Sequence, residues 1–373
     1  MTGKKKLIVR SPGRINLIGE HTDYNEGYVL PAAISKYIEV ELSKRDDFMV
    51  ALVSVNEGQS FECSLHAIEQ SGIQWPDYVL GVVKELQQRN MPLKGFNLTI
   101  SGDIPMGAGL SSSAAYENAV VFALNEAFGL GLNKIEMIHI SKACENNFVG
   151  LQCGIMDMFA SMMGKKDQAI QLDCRSLQYE YFPLELGNYG IVLLDTRVKH
   201  NLASSEYNTR RKECETGVAL VKNKYPFVNS LRDATIQMLN ECIEDPVIKK
   251  RCVYVVEEIQ RVQDACARLK EGNLAEFGKL MYATHKGLSE CYEVSCDELD
   301  FLVEACKKYT AIAGARMMGG GFGGCVISLM NKETAQDIIN EISTAYNEKF
   351  GQPILCYITD ISDGTAIVEA SIQ

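Results

Sequence analysis

Nowhere in the 373 residues does an apolar run approach the roughly 18 that would cross a bilayer, so no membrane-spanning helix is expected. The opening stretch, Met1-Thr-Gly-Lys-Lys-Lys-Leu-Ile-Val-Arg10, has three apolar residues before the next charge, too few for a signal-peptide core. Positive charge is in short supply: 37 Lys+Arg stand against 48 Asp+Glu, a net charge of −11. A chain of that charge repels nucleic acid and acidic membrane surfaces, so any phosphate it binds must be held locally. The 13 cysteines are odd in number and include no Cys-x-x-Cys pair, which argues against both a disulfide framework and a zinc site and points to a reducing compartment, the cytoplasm. No linker rich in Pro, Gly or Ser, no internal repeat and no low-complexity tract interrupts the chain.

Hydrophobic residues make up 46% and charged residues 23%, the balance of a folded globular protein. At roughly 150 residues per domain the length suggests two domains. β-branched or alternating segments predict strands at 6–10, 27–30, 37–42, 48–54 and 95–102, with one helix over 78–89. An apolar, small-residue segment from Ser113 to Phe128 closes at Gly129, and a helix is expected over 134–147. The clearest helical periodicity is Val255, Ile259, Val262, Cys266 and Leu269, ended by Gly272. Further helices are expected over 231–244, 274–289 and 297–308, followed by strands at 325–330 and 355–359.

Four clusters could carry chemistry. Pro105-Met-Gly-Ala-Gly-Leu-Ser-Ser-Ser-Ala114 joins a strand to a helix and is built to turn backbone N–H groups toward an anion; a Ser N-cap after a tight loop is the plainer alternative. The lysine of a Walker A loop is missing. Met318-Gly-Gly-Gly-Phe-Gly-Gly324 matches Gly-x-Gly-x-x-Gly in form, but a strand-like Cys325-Val-Ile-Ser-Leu follows it instead of a helix, leaving a glycine-rich hairpin or a loop close to a ligand. Arg14-Ile-Asn-Leu-Ile-Gly-Glu20-His21-Thr-Asp23-Tyr24 gathers groups that bind sugar hydroxyls, or else forms a solvated turn. Asp157, among Cys, Ile, Met and Phe, is a helix N-cap or a functional acid in need of a partner, for which Arg14 is the candidate.

Together these segments are similar to the GHMP small-molecule kinases, and most closely to the galactokinases. The first motif resembles the galactokinase signature, Gly107 to Ala114 the GHMP phosphate loop, and Gly314-Ala-Arg-Met-Met-Gly-Gly-Gly-Phe-Gly-Gly324 the third motif. Cys153-Gly-Ile-Met-Asp157, Ala203-Ser-Ser-Glu-Tyr207 and Tyr292 to Asp300 also fit, so the resemblance covers nearly the whole chain. It implies an α+β, two-lobed fold with the active site between an N-terminal domain, 1–190, and a C-terminal domain, 191–359, with 360–373 returning to the first. It also implies ATP-dependent phosphorylation of galactose at its anomeric hydroxyl by a monomer whose partners are its small-molecule substrates. Asp157 and Arg14 would be catalytic, and Glu20, His21, Asp23, Gly154 and Tyr207 would bind the sugar. Pro105, Gly107, Ala108, Gly109, Leu110, Ser111, Ser112 and Ser113 would bind ATP, with Ser113 and Glu145 holding Mg²⁺. Met158, Met318, Tyr116, Asp297 and Asp77 depart from the family pattern, at places where Gln, Thr, a small aliphatic residue, Pro and Asn are usual. A kinase for a related sugar such as N-acetylgalactosamine, or a non-catalytic sensor of sugar and ATP, are the alternatives.

Overall fold

A computed structural model describes residues 6–105, 108–198 and 203–370. Two bodies of sheet and helix are organised around three sheets. The first sheet has the strand order β13-β1-β3-β6-β4-β5, formed by β1 (Leu7–Asn16), β3 (Pro31–Lys44), β4 (Met49–Ser54), β5 (Gln59–Ser64), β6 (Phe96–Gly102) and β13 (Ala366–Ala370). Only β4 and β6 run parallel in it. The C-terminal strand β13 thus lies at its edge, paired antiparallel with the first strand. A small sheet, β2 (Tyr28–Val29), β7 (Gln168–Asp173) and β8 (Tyr179–Pro183), flanks it.

On the first sheet lie α1 (Gln74–Gln88), α2 (Ser112–Phe128), α3 (Lys134–Ala143) and α4 (Met156–Met163). Both α2 and α4 pack on β1 and β3. The buried Ala114, Ala115, Ala119 and Ala123 give α2 the slim profile that lets it sit deep in the core. Gly129, at φ 63°, closes α2 in the left-handed conformation that favours glycine. An Asn133–Glu136 capping box starts α3.

The second body has the sheet order β10-β11-β9-β12, from β9 (Tyr189–Asp195), β10 (Ile312–Met317), β11 (Cys325–Asn331) and β12 (Leu355–Thr359), all antiparallel. Around it are α5 (Ala203–Lys224), α6 (Ile236–Cys242), α7 (Pro246–Lys270), α8 (Leu274–Lys286), α9 (Asp297–Cys306) and α10 (Ala335–Phe350). Successive residues of β9 enter different cores: Ile191 and Leu193 belong to the first cluster, Val192 and Leu194 to the second. A strand buried on both faces reads as an unbroken apolar run, which is why Ile191-Val-Leu-Leu194 carries no alternation to mark it.

Several expectations need correction. The helix predicted over 231–244 is a 3-10 turn at Leu231–Asp233 followed by α6, because Ser230 and Thr235 each cap a new start. The helix predicted over 134–147 is α only to Ala143; a π turn, Cys144–Val149, follows and ends at Gly150. The strand β10 hides its pattern because it carries a buried arginine, Arg316, between Ala315 and Met317. Among the described residues no helix is long and apolar enough to cross a membrane.

Candidate active site

Arg14 leaves the end of β1 and Asp157 sits in the first turn of α4, two elements that pack together. Arg14 Nε donates to Asp157 Oδ1 at 2.8 Å and Nη2 donates to Oδ2 at 2.9 Å, a bidentate pair. The third guanidinium nitrogen donates to the Gly109 carbonyl at 2.6 Å, tying the pair to the glycine-serine loop. Asp157 is not the N-cap of α4, a place taken by Ile155. Ser111, at φ 55°, is the N-cap of α2, yet its side chain caps nothing and its hydroxyl donates to Asp157 Oδ2. The first N–H groups of α2 therefore remain open to an anion.

The expected residues Arg14, Glu20, His21, Asp23, Gly154, Asp157 and Tyr207 line one cavity of about 280 Å³. Glu20 is buried, and its Oε1 accepts from Arg316 Nη1 and Nη2 at 3.1 and 3.0 Å and from the Gly319 N–H at 2.9 Å. Arg316 also donates to the carbonyls of Asn16, Leu17 and Met317. These three bonds all use Oε1, so that among the described residues the other oxygen is left for the cavity that Glu20 lines. Gly154 is glycine because a Cβ there would stand 1.7 Å from Asp23 Oδ2.

His21 has one readable tautomer. Its Nε2 lies 3.2 Å from the Gly320 carbonyl, which can only accept, so Nε2 carries the proton. Nδ1 then accepts from the Tyr24 hydroxyl at 2.9 Å, and Tyr24 in turn accepts from Tyr292 at 2.8 Å. Burial lowers the His21 pKa from 6.5 to about 3, so the ring is neutral. Asp23 moves the other way: burial, with the Asp157 charge added, pushes its carboxyl up to about 6.

The remaining expectations divide. Gly107 lies outside the described residues. Pro105 stands at the foot of the loop, and Ala108 and Leu110 are buried, the Leu110 carbonyl accepting from the Arg14 N–H at 3.1 Å. Gly109 takes φ 73°. Ser112 lines a second cavity of about 240 Å³ with Ile38, Trp75, Tyr78, Ile100 and Tyr116. Ser113 hydrogen-bonds Glu145, which the π turn presents behind the loop. The glycine segment is the hairpin that joins β10 to β11, and its Gly319, Gly320 and Gly321 wall the first cavity.

The departures from the family pattern resolve by position. Met158 and Met318 are buried in the core and line neither cavity, whereas Tyr116 forms a wall of the second. Asp77 turns away from that cavity, its Oδ1 accepting from the Ser71 N–H and hydroxyl, both at 2.7 Å. Asp297 opens α9, where its charge suits the positive helix end. Sequence reasoning overlooked roles for Arg316, Tyr24 and Tyr292, though all three stand inside segments it quoted. An arginine in an apolar strand was the available signal, because so buried a cation requires partners.

Three family models match the chain: the galactokinase galactose-binding signature over residues 1–44, the GHMP kinases N terminal domain over 77–165 and the GHMP kinases C terminal over 257–348. The galactokinase of Thermosipho africanus is 42% identical over 97% of this chain and 100% of its own length. That of Clostridium perfringens strain 13 is 42% identical over 95% and 93%. The crystal structure of Lactococcus lactis galactokinase complexed with galactose superimposes with a TM-score of 0.93 at 36% identity, covering 97% of this chain and 95% of that one. The mevalonate kinase of Methanococcus jannaschii, at a TM-score of 0.67 and 19% identity, shares the fold. Motifs, architecture and relatives agree from end to end, and the chain belongs to the galactokinase family of GHMP kinases.

Proposed function

We propose that the chain is a galactose 1-kinase, which transfers the γ-phosphoryl group of ATP to the anomeric hydroxyl of galactose and releases ADP and galactose 1-phosphate. The observation that carries the reading is Asp157, held by Arg14 and Ser111 where the polar cavity meets the glycine-serine loop. The full-length similarity to galactokinases, one of them solved with galactose, supports the choice of sugar.

A carboxylate offers about four acceptor positions, and Arg14 and Ser111 use three of those on Asp157. One remains for the sugar hydroxyl. A carboxylate fixed in this way suits phosphoryl transfer: the hydroxyl is oriented in line, and its proton is taken up late, as the new O–P bond forms. Arg14 fixes this acceptor and the phosphate loop to one another through Gly109. Glu20, Asp23 and Tyr207 face the sugar, with His21 held as a neutral wall. Phosphates would meet the open N–H groups of α2 and the Ser112 hydroxyl, and the base and ribose would occupy the cavity walled by Trp75, Tyr78 and Tyr116.

Ser113 and Glu145 are the residues that would hold Mg²⁺. The donor set fits: Glu145 is buried, its Oε2 has no hydrogen-bond partner among the described residues, and Ser113 and Glu145 offer oxygen ligands. Among the described residues no closed cage of three or more ligating side chains is present, the arrangement suited to an ion that keeps waters and substrate phosphates in its shell. When bound, the ion would neutralise charge on the phosphate oxygens.

Coupled ADP release with Mg-ATP, run against galactose, N-acetylgalactosamine, glucose, arabinose and no sugar, tests the reading. Turnover with galactose alone is expected. Turnover with a different sugar only, or tight ATP binding without sugar-dependent ADP release, overturns it.

A further inference from the structure

We propose that Glu258 and Tyr254, one turn apart on α7, are positioning residues for the sugar: they hold the backbone of the loop that carries Glu20, His21 and Asp23 to the cavity. The inference rests on the sugar role proposed above for those three residues. Residues 17–22 lie between β1 and a 3-10 turn at Asp23–Asn25, with no strand or helix of their own to order them. Gly19 takes φ 97° and His21 φ 61°, both in the left-handed region. For histidine that conformation carries strain and persists only where surrounding contacts fix it.

Those contacts come from α7. Tyr254, Glu258 and Val262 follow one another at intervals of four and so share one face of the helix. The Gly19 N–H donates to Glu258 Oε1 at 2.9 Å, and the Tyr254 hydroxyl donates to the Glu20 carbonyl at 3.1 Å. Val262 closes the contact: a Cβ on Gly19 would stand 2.8 Å from its Cγ2 and 2.8 Å from the Tyr28 carbonyl. Glu258 is fully buried beside the apolar Val255, Ile259 and Val262, where a carboxylate is costly unless it is well paired. Thr284 of α8 donates to its Oε2 at 2.9 Å, and Arg261 of α7 pairs with the same oxygen. A buried ion pair is replaceable by apolar residues as far as stability goes, so packing of α7 on α8 gives no reason for a carboxylate here. The bond to Gly19 does. Glu20 is thereby fixed twice, at its side chain by Arg316 and at its backbone by α7.

The test is the steady-state KM for galactose and for ATP, with kcat and denaturant unfolding, on wild type, Glu258→Met, Glu258→Gln, Tyr254→Phe, Thr284→Val and Asp23→Ala. Glu258→Met keeps the volume without the acceptor and leaves Arg261 to Glu257, 3.7 Å away. Its galactose KM should rise roughly 10- to 100-fold, the worth of a hydrogen bond to a charged group, with ATP KM unchanged. Its kcat should change far less, because Asp157 and Arg14 are held to one another from α4 and β1. Glu258→Gln retains an acceptor for the Gly19 N–H and should restore galactose KM to within about threefold of wild type. Thr284→Val takes a donor from the same carboxylate on the side away from the loop; it should lower stability and leave galactose KM unchanged. Wild-type galactose KM in Glu258→Met overturns the inference, as does a rise in Thr284→Val as large as that in Glu258→Met. If Glu258→Met does not fold, Tyr254→Phe decides: a several-fold rise in galactose KM is expected, and an unchanged value overturns the inference. Unchanged galactose KM in Asp23→Ala would remove the sugar role of the loop, and the inference with it.

Discussion

On one side of the glycine-serine loop the cavity of about 280 Å³ is walled by Arg14, Glu20, His21, Asp23 and Asp157, and protein partners fix most of their polar atoms. On the other side the cavity of about 240 Å³ combines the apolar and aromatic Ile38, Trp75, Tyr78, Ile100, Ile104 and Tyr116 with uncharged polar residues such as Asn56, Gln59 and Ser112, and only Glu57 in its wall carries charge. Trp75 Nε1 donates to Gln59 Oε1 at 3.0 Å and Gln74 Nε2 donates to the Tyr78 hydroxyl at 2.9 Å, but the buried Tyr116 hydroxyl has no partner among the described residues. Under the proposed function, the difference fits what each half has to recognise. Hydroxyl groups are distinguished by polar atoms at fixed positions, which must be ordered before the ligand arrives. A flat base is accepted by shape and stacking against aromatic faces, which needs little of that order.

The contrast can be broken at its polar centre first. Asp157→Asn retains the size of the side chain and removes the proton acceptor, so kcat should fall about 10²- to 10⁴-fold while galactose affinity changes little. A steady-state split of kcat from KM reads this, and full activity would remove Asp157 from the chemistry. Arg316→Met comes next. It strips the cation from a fully buried pair and leaves Glu20 and three backbone carbonyls without their donor. Loss of about 3–5 kcal/mol is expected by denaturant unfolding, together with loss of galactose binding in whatever folds.

Asp23 gives a pH dependence with a defined sign. Its carboxyl, raised to about 6, is ionised at neutral pH and becomes protonated as pH falls through about 6, so galactose affinity should weaken in acid, about tenfold by pH 5. For stability the sign is opposite: a raised carboxyl pKa favours folding with the proton on, and this contribution is lost as pH rises from 3.8 through about 6. Asp23→Asn should therefore flatten the pH profile of galactose KM and unfold at a slightly higher temperature at neutral pH.

The smallest effects sharpen the comparison most, because two Tyr→Phe changes should have opposite signs. Tyr24→Phe removes the donor to His21 Nδ1 and the acceptor of Tyr292, and should cost about 1 kcal/mol, seen as a several-fold rise in galactose KM with ATP KM unchanged. Tyr116→Phe removes a hydroxyl that is buried without a partner, so the unfolding temperature should rise by the equivalent of about 1 kcal/mol. A loss of stability in Tyr116→Phe would show that the nucleotide side is as ordered as the sugar side.

Periodic elements were legible in the sequence. The stripe from Val255 to Leu269 became α7, and alternation at Phe96, Leu98 and Ile100 became β6. Elements without such a signature were not: α5 is largely polar, β9 is buried on both faces, and β10 has a glycine and an arginine in its midst. At the site, the residues expected to act on the sugar reached one cavity. Their supporting contacts, Arg316 on Glu20 and Tyr24 on His21, join segments of very different separation, and only the second is local.

What the sequence determined by itself is whatever depends on neighbouring residues: the turns, the open helix start at Ser111–Ser113, the short motifs and, through them, the family. The tertiary structure alone decided which side chains meet. Arg14 and Asp157 are 143 residues apart, and Glu20 and Arg316 are 296. Whether a buried charge is paired, a ring nitrogen occupied or a carboxyl left without a donor depends on groups delivered from distant segments, because hydrogen bonds and desolvation act over a few ångströms in space.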